Sequence, residues 1–246
     1  MPTVSLFIPC TVDLMLPPIG QSTAAVLEHL GCRLIYHKEQ TCCGLMSYNS
    51  GFRKEAKHLA KHFIRVFEKD TFIVSPSGSC VNMVKHRYMQ LFEDEPDWQN
   101  RARAIATRVF ELSQFIVDQL GVTAIGGRYP AAVAYHESCS TLNGLGVSAQ
   151  PKALIESTQD TRLVELKGAD ICCGFGGTFA NSYGDISTAL VAQKVQYFME
   201  SGADLLVMCD PGCLLNIQGY LSRHHPQYSA MHLADFLSHS LEKGAS

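Results

Sequence analysis

The sequence predicts an α/β protein of two tandem, pseudo-symmetric domains, each a mainly parallel sheet flanked by helices. Three observations predict it. Cysteines recur in one order in both halves of the 246 residues: Cys10, Cys42-Cys43-Gly44 and Cys80, then Cys139, Cys172-Cys173-Gly174 and Cys213. Matching positions lie 129, 130, 130 and 133 residues apart, which marks a tandem duplication rather than chance. Short β-rich runs alternate with helical stretches, the pattern of a parallel sheet covered by helices. An apolar fraction of 46% against 17% charged belongs to a packed globular chain, not a disordered one.

In the first half, Val4–Pro9 reads as a strand running into Cys10. Pro17-Pro18 opens a helix through about Leu30 that stops at Gly31. Arg33–Tyr36 reads as a second strand, followed by the cysteine doublet. Phe52–Phe67 has apolar residues at helical spacing. Thr71–Val74 reads as a third strand, after which Ser75–Ser79 turns the chain into Cys80 and a helix toward Leu91. Asn100–Leu120 reads as one long amphipathic helix.

The second half repeats the order. A strand at Ala131–Tyr135 leads to Cys139, a helix covers Pro151–Thr158, and a strand at Arg162–Leu166 precedes the second doublet. A helix over Asp185–Glu200 is followed by a strand at Asp204–Met208, then Cys213 and a further helix. The closing helices correspond too, Glu111–Ile116 matching His232–Leu237 in pattern. Gly126, Gly127 and Pro130 interrupt the periodicity between the halves, and the domains are set at residues 1–124 and 125–246. Ligands of such sheets gather beyond the carboxyl ends of the strands. Each cysteine group follows a predicted strand, so residues 10, 42, 43 and 80 are expected to meet at one edge, and so are 139, 172, 173 and 213.

A net charge of −3 argues against nucleic acid or an anionic membrane as partner. The N-terminus has no basic start and runs straight into a strand, and no apolar stretch approaches transmembrane length. The expected location is the cytoplasm, where thiols stay reduced. Ten cysteines there point to metal or redox chemistry rather than structural disulfides.

Four thiolates can hold zinc or an iron–sulfur cluster. Adjacent cysteines fit poorly on one tetrahedral ion, whereas a multi-iron cluster offers them separate corners. The pattern therefore favours a 4Fe-4S type cluster in each domain, with zinc the alternative in one or both sites. Cys80 and Cys213 fall where helices start, and free N–H groups there favour anionic sulfur. Gly44 and Gly174 allow a tight turn against an inorganic core. Gly174-Phe175-Gly176-Gly177 lacks the dinucleotide-binding spacing. No Ser-His-Asp order, catalytic carboxylate pair, P-loop or flavin motif is present.

At these residues the chain resembles the CCG, or cysteine-rich, domain family. The pattern C-xₙ-CCG-xₘ-C-x-x-C is present twice, in Phe7–Cys10, Thr41–Gly44, Ser77–Cys80, Cys172–Phe179 and Gly212–Ile217. It is similar to the heterodisulfide reductase subunit that holds non-cubane clusters and to the iron–sulfur subunit of glycolate oxidase. Within the family it resembles the LutA/YkgE (LldE) group of lactate utilization proteins. The resemblance implies a non-flavin, iron–sulfur system that oxidises L-lactate to pyruvate for use as carbon source. It also implies partner subunits, one of them ferredoxin-like, with the eight paired cysteines as cluster ligands.

The chain departs from the family pattern at Met83 and Asn216, where a fifth cysteine is expected. Cys209 can substitute in the second half or be core, and Cys32 reads as packing. His136 reads either as a proton relay or tuning group beside a cluster or as a hydrogen-bonded residue at a strand end. The first half has Phe7 in its place. His224-His225 read as a surface pair. Glu93-Asp94-Glu95 reads as a solvated loop or a dock for a basic partner, and Arg53, Lys54, Lys57 and Lys61 as an outer helix face able to steer lactate. Two other functions stay open: thiol–disulfide reduction at a cluster, and a zinc-stabilised binding module without redox activity.

Overall fold

The computed structural model describes residues 1–244, and the chain divides into two compact units, Met1–Leu112 and Ser113–Ser246. The first unit holds β1 (Thr3–Leu6), β2 (Arg33–Tyr36), β3 (Ile73–Ser75) and β4 (Val109–Glu111). They form one parallel sheet in the order β2-β1-β3-β4. The second unit holds β5 (Arg128–His136), β6 (Gln159–Val164), β7 (Leu205–Met208) and β8 (Ser229–His232), in the matching order β6-β5-β7-β8 and again all parallel. Two α/β domains with parallel sheets flanked by helices are thus present. In each, the chain leaves the central strand in one direction and returns on its other side, the arrangement that opens a crevice at the strands' carboxyl ends.

The helices bury one face against these sheets. Along Arg53–Phe67 the buried residues are Ala56, Ala60, Phe63, Ile64 and Phe67, a helical stripe that turns the basic residues outward. Phe63 lies 4.8 Å from Phe7 and 5.8 Å from Tyr88, ring to ring, so an aromatic cluster underlies the carboxyl end of β1. Buried Val133, Ala134, Leu206 and Val207 form the equivalent floor in the second unit.

Several expectations need correcting. The helix expected over Asn100–Leu120 is broken by β4: Pro96–Ala106 is helical, Val109–Glu111 pairs with β3, and a new helix occupies 112–119. Ile73 N–H donates to the Arg108 carbonyl at 2.8 Å, and the sheet partner overrides the local helical pattern. Ser229–His232 likewise pairs with β7, a strand the sequence pattern leaves unmarked. Glu111 and His232, matched as helical residues, each end a strand and lead into a helix. The short helices Cys10–Met15, Leu45–Asn49 and Phe179–Ser182, all beside the cysteine groups, were not anticipated. Packing divides the chain between Leu112 and Ser113, while the domain boundary at 124/125 stays an expectation. Pro130 falls within β5, where the pairing slips by one residue between Arg128 and Ala131, as a residue without an N–H requires. Among the described residues no helix is long and apolar enough to cross a membrane.

Candidate metal centre

In the first unit β1, β2 and β3 each deliver sulfur to the carboxyl edge of the sheet. Cys10 opens the helix Cys10–Met15, the doublet follows β2, and Cys80 sits in the first turn of the helix beginning at Gly78. Ser77 caps that helix, its Oγ accepting from Cys80 N–H at 3.4 Å. Gly44 adopts φ 86°, and this turn aims its N–H at Cys42 Sγ, 3.3 Å away. The thiols form a chain: Cys10 to Cys42, Cys42 to Cys43, Cys43 to Cys80. Hydrogen bonds from Cys10 and then Cys43, helped by Gly44 N–H, bring Cys42 down to about 3. The donating thiol of Cys10 is pushed up by the same bond and by burial. Cys43 is raised by its bonds to Cys42 and Cys80 and by burial. The buried Tyr88 hydroxyl donates to the Cys43 carbonyl at 2.9 Å.

The second unit repeats this geometry. Gly174 has φ 80° and donates to Cys172 Sγ at 3.4 Å. Cys172 falls to about 2 through hydrogen bonds from Cys139 and then Cys173, and both donors rise in consequence. Cys173 Sγ lies 2.9 Å from Cys213 Sγ, well beyond the ~2.0 Å of a disulfide. Asp210 caps the helix Pro211–His224, accepting from Gly212 N–H at 3.1 Å. The Cys173 carbonyl is again held, here by Asn216 Nδ2 at 2.7 Å. Space is tighter than in the first unit: a Cβ on Gly174 would meet the Ser187 carbonyl at 2.6 Å, and one on Gly212 the Phe175 ring at 2.5 Å.

All eight matched cysteines are free thiols, brought together four and four. In each group the inner pair is buried, Cys43 with Cys80 and Cys173 with Cys213. The outer pair reaches the surface, half-buried at Cys10 and Cys42 and exposed at Cys139 and Cys172. A donor set of four sulfurs, one of them with a lowered pKa, suits a soft metal or an iron–sulfur core. Among the described residues, His136, Cys173 and Cys213 place ligand atoms within 4.8 Å of one another. His136 is 1% exposed, and neither ring nitrogen has a hydrogen-bond partner. Burial, then the Lys194 charge, lowers its pKa to about 3.

Cys209 stays outside that group, buried in the core with its sulfur accepting from the Tyr135 hydroxyl at 3.3 Å. Cys32 is buried behind the helix Pro17–His29, its N–H bonded to the Leu27 carbonyl. His224 and His225 stack on Tyr220. The acidic run and the basic helix face neutralise each other: Lys57 pairs with Asp94 and with Glu95 at 3.1 Å, and Lys61 pairs with Glu95. Sequence reasoning missed Tyr88 and the buried Lys194, which donates to the carbonyls of Gly168 and Ala169, the latter at 2.9 Å. Both occupy ordinary helical positions, and no local signal marks them.

Comparison with known proteins agrees with the geometry. The model of the cysteine-rich CCG domain matches twice, over residues 4–85 and 133–218. The chain is 44% identical over 245 residues to lactate utilization protein A of Exiguobacterium sp. strain AT1b, covering 99% of this chain and 100% of that protein. It is 43% identical over 236 residues to the protein of that name from Halalkalibacterium halodurans, covering 96% of each. Among solved structures it resembles a hypothetical protein from Helicobacter pylori with a TM-score of 0.67 at 10% identity, covering 97% of this chain and 49% of that one, a likeness of fold alone. With two cysteine-rich CCG domains and this similarity along its length, the chain belongs to the lactate utilization protein A family.

Proposed function

We propose that this chain is an iron–sulfur electron-transfer subunit of a non-flavin complex that oxidises L-lactate to pyruvate during lactate utilization. The observation that carries the reading is the pair of four-cysteine groups converging at the carboxyl ends of both sheets, in a chain 44% identical to a lactate utilization protein A. Cys10, Cys42, Cys43 and Cys80 would hold one cluster, and Cys139, Cys172, Cys173 and Cys213 the other. A bound cluster of this type stores and passes single electrons.

The chain's own residues prepare each site. Neighbouring thiols and the glycine N–H groups lower the pKa of Cys42 and Cys172, which favours the thiolate form that a metal binds. The buried inner sulfurs keep water from the core of each group. The exposed Cys139 and Cys172 bring the second group to the surface, where a partner can exchange electrons over a short path. Oxidation of L-lactate releases two electrons and two protons, and the reading assigns substrate binding to no residue of this chain. Partner subunits, one carrying ferredoxin-like clusters, complete the complex in a reducing compartment such as the cytoplasm.

The test is anaerobic assembly of the chain with its partner subunits, followed by addition of L-lactate while visible absorbance is monitored. The expected result is bleaching with L-lactate that is absent in complexes carrying Cys42→Ser or Cys172→Ser. Full lactate oxidation by complexes lacking this chain's cysteines would contradict the proposal.

A further inference from the structure

The two units are equal in sulfur but not in what surrounds it. The fifth cysteine of the family pattern is replaced by Met83 in the first unit and Asn216 in the second. Met83 is fully buried within its helix, and Asn216 is committed to the Cys173 carbonyl at 2.7 Å. Neither position supplies a fifth thiolate. In the second unit another residue stands ready. His136 ends β5, three residues before Cys139, and is buried with both ring nitrogens unpartnered. Buried polar groups are nearly always paired, so an orphaned imidazole asks for a partner. The Ala169 carbonyl is the one backbone acceptor near the ring, a contact short of a well-formed hydrogen bond, and it already accepts from Glu137 N–H at 3.0 Å and Lys194 Nζ at 2.9 Å. What the imidazole does face is sulfur: its ligand nitrogen and the Cys173 and Cys213 sulfurs lie within 4.8 Å of one another. At the matching place in the first unit stands Phe7, packed on Phe63 with no donor atom.

We infer that His136 is a fifth protein donor to the metal centre of the second unit, and that the first unit's centre is bound by cysteine alone. The inference rests on the metal-centre reading of the second unit and not on lactate as substrate. It makes the two centres unequal.

The experiment uses the full chain, freed of metal under reducing anaerobic conditions, labelled with ¹⁵N-histidine and titrated with ¹¹³Cd²⁺. The expected spectrum has two cadmium resonances, one of them coupled both to a histidine ring ¹⁵N and to the β protons of Cys173 or Cys213. That double coupling assigns the site without a variant. In His136→Phe, which installs the first unit's residue, or in the smaller change His136→Gln, the nitrogen coupling disappears while cadmium stays bound. Cadmium in the second unit without coupling to histidine nitrogen overturns the inference, as does a second unit that takes up no cadmium. Iron and sulfide analysis of the anaerobically isolated chain reports separately on the iron–sulfur reading. Absence of sulfide with the cadmium–histidine coupling intact sinks that reading alone. Sulfide present without the coupling sinks this inference alone.

Discussion

Gly44 and Gly174 do the same work under different constraint. Both hold a left-handed backbone that aims an N–H at the first sulfur of the doublet. An alanine at Gly44 would meet its nearest neighbours at 3.4 Å, so Gly44→Ala should cost chiefly the left-handed strain of about 1–2 kcal/mol. Gly174→Ala should cost more, because its Cβ would stand 2.6 Å from the Ser187 carbonyl, a backbone atom that cannot swing aside. Urea unfolding of the metal-free variants measures both, and equal losses would contradict the difference. The doublet carbonyls show a further divergence, since Tyr88 holds that of Cys43 while Asn216 holds that of Cys173. Tyr88→Phe would leave a buried carbonyl unpaired and should destabilise the first unit by about 1–3 kcal/mol. Unchanged unfolding would show that the bond contributes nothing. The cysteines were legible in the sequence because spacing alone marks them. Tyr88 and Lys194 were not, because their roles depend on partners that only the folded chain brings near.

At the scale of elements, the sheet works because each strand hands its cysteine to the same edge. Strand and helix existence was readable wherever an apolar run was bounded by glycine or proline, as at Pro17–His29 and Leu205–Met208. The fourth strand of each sheet was not readable. Val109–Glu111 and Ser229–His232 are three and four residues long and run directly into helices, so no strand pattern marks them and pairing with a neighbour decides. The helix Arg53–Phe67 is the clearest lever on the first unit. Phe63 is 2% exposed and touches Phe7, Phe67 and Tyr88 by ring contacts. Phe63→Ala should therefore cost about 3–5 kcal/mol, measured by denaturant unfolding, and should weaken metal retention at Cys10 and Cys43 above it. The outer face of the same helix is tied to the acidic run. Lys57→Gln with Lys61→Gln should leave lactate-dependent reduction unchanged. A loss of that activity without a loss of folding would restore the face as a steering surface.

Across the whole molecule, a duplication has been kept in its sulfur and released elsewhere. Each unit retains four cysteines, one left-handed glycine turn at its doublet and a carboxyl-edge site. The second unit surrounds its sulfurs with buried His136, Asp210 and Lys194, while Phe7 and its aromatic neighbours underlie the first. Equal sulfur counts made the duplication visible in the sequence, and unequal surroundings emerged only from the fold. Both cysteine groups are proposed as iron–sulfur sites. Iron and acid-labile sulfide analysis of the anaerobically isolated chain tests this most directly, alongside Cys42→Ser and Cys172→Ser. About eight irons and eight sulfides per chain, falling by about half in each variant, is the predicted result. About one or two zinc ions with no sulfide would contradict it, leaving the cysteine groups as structural sites.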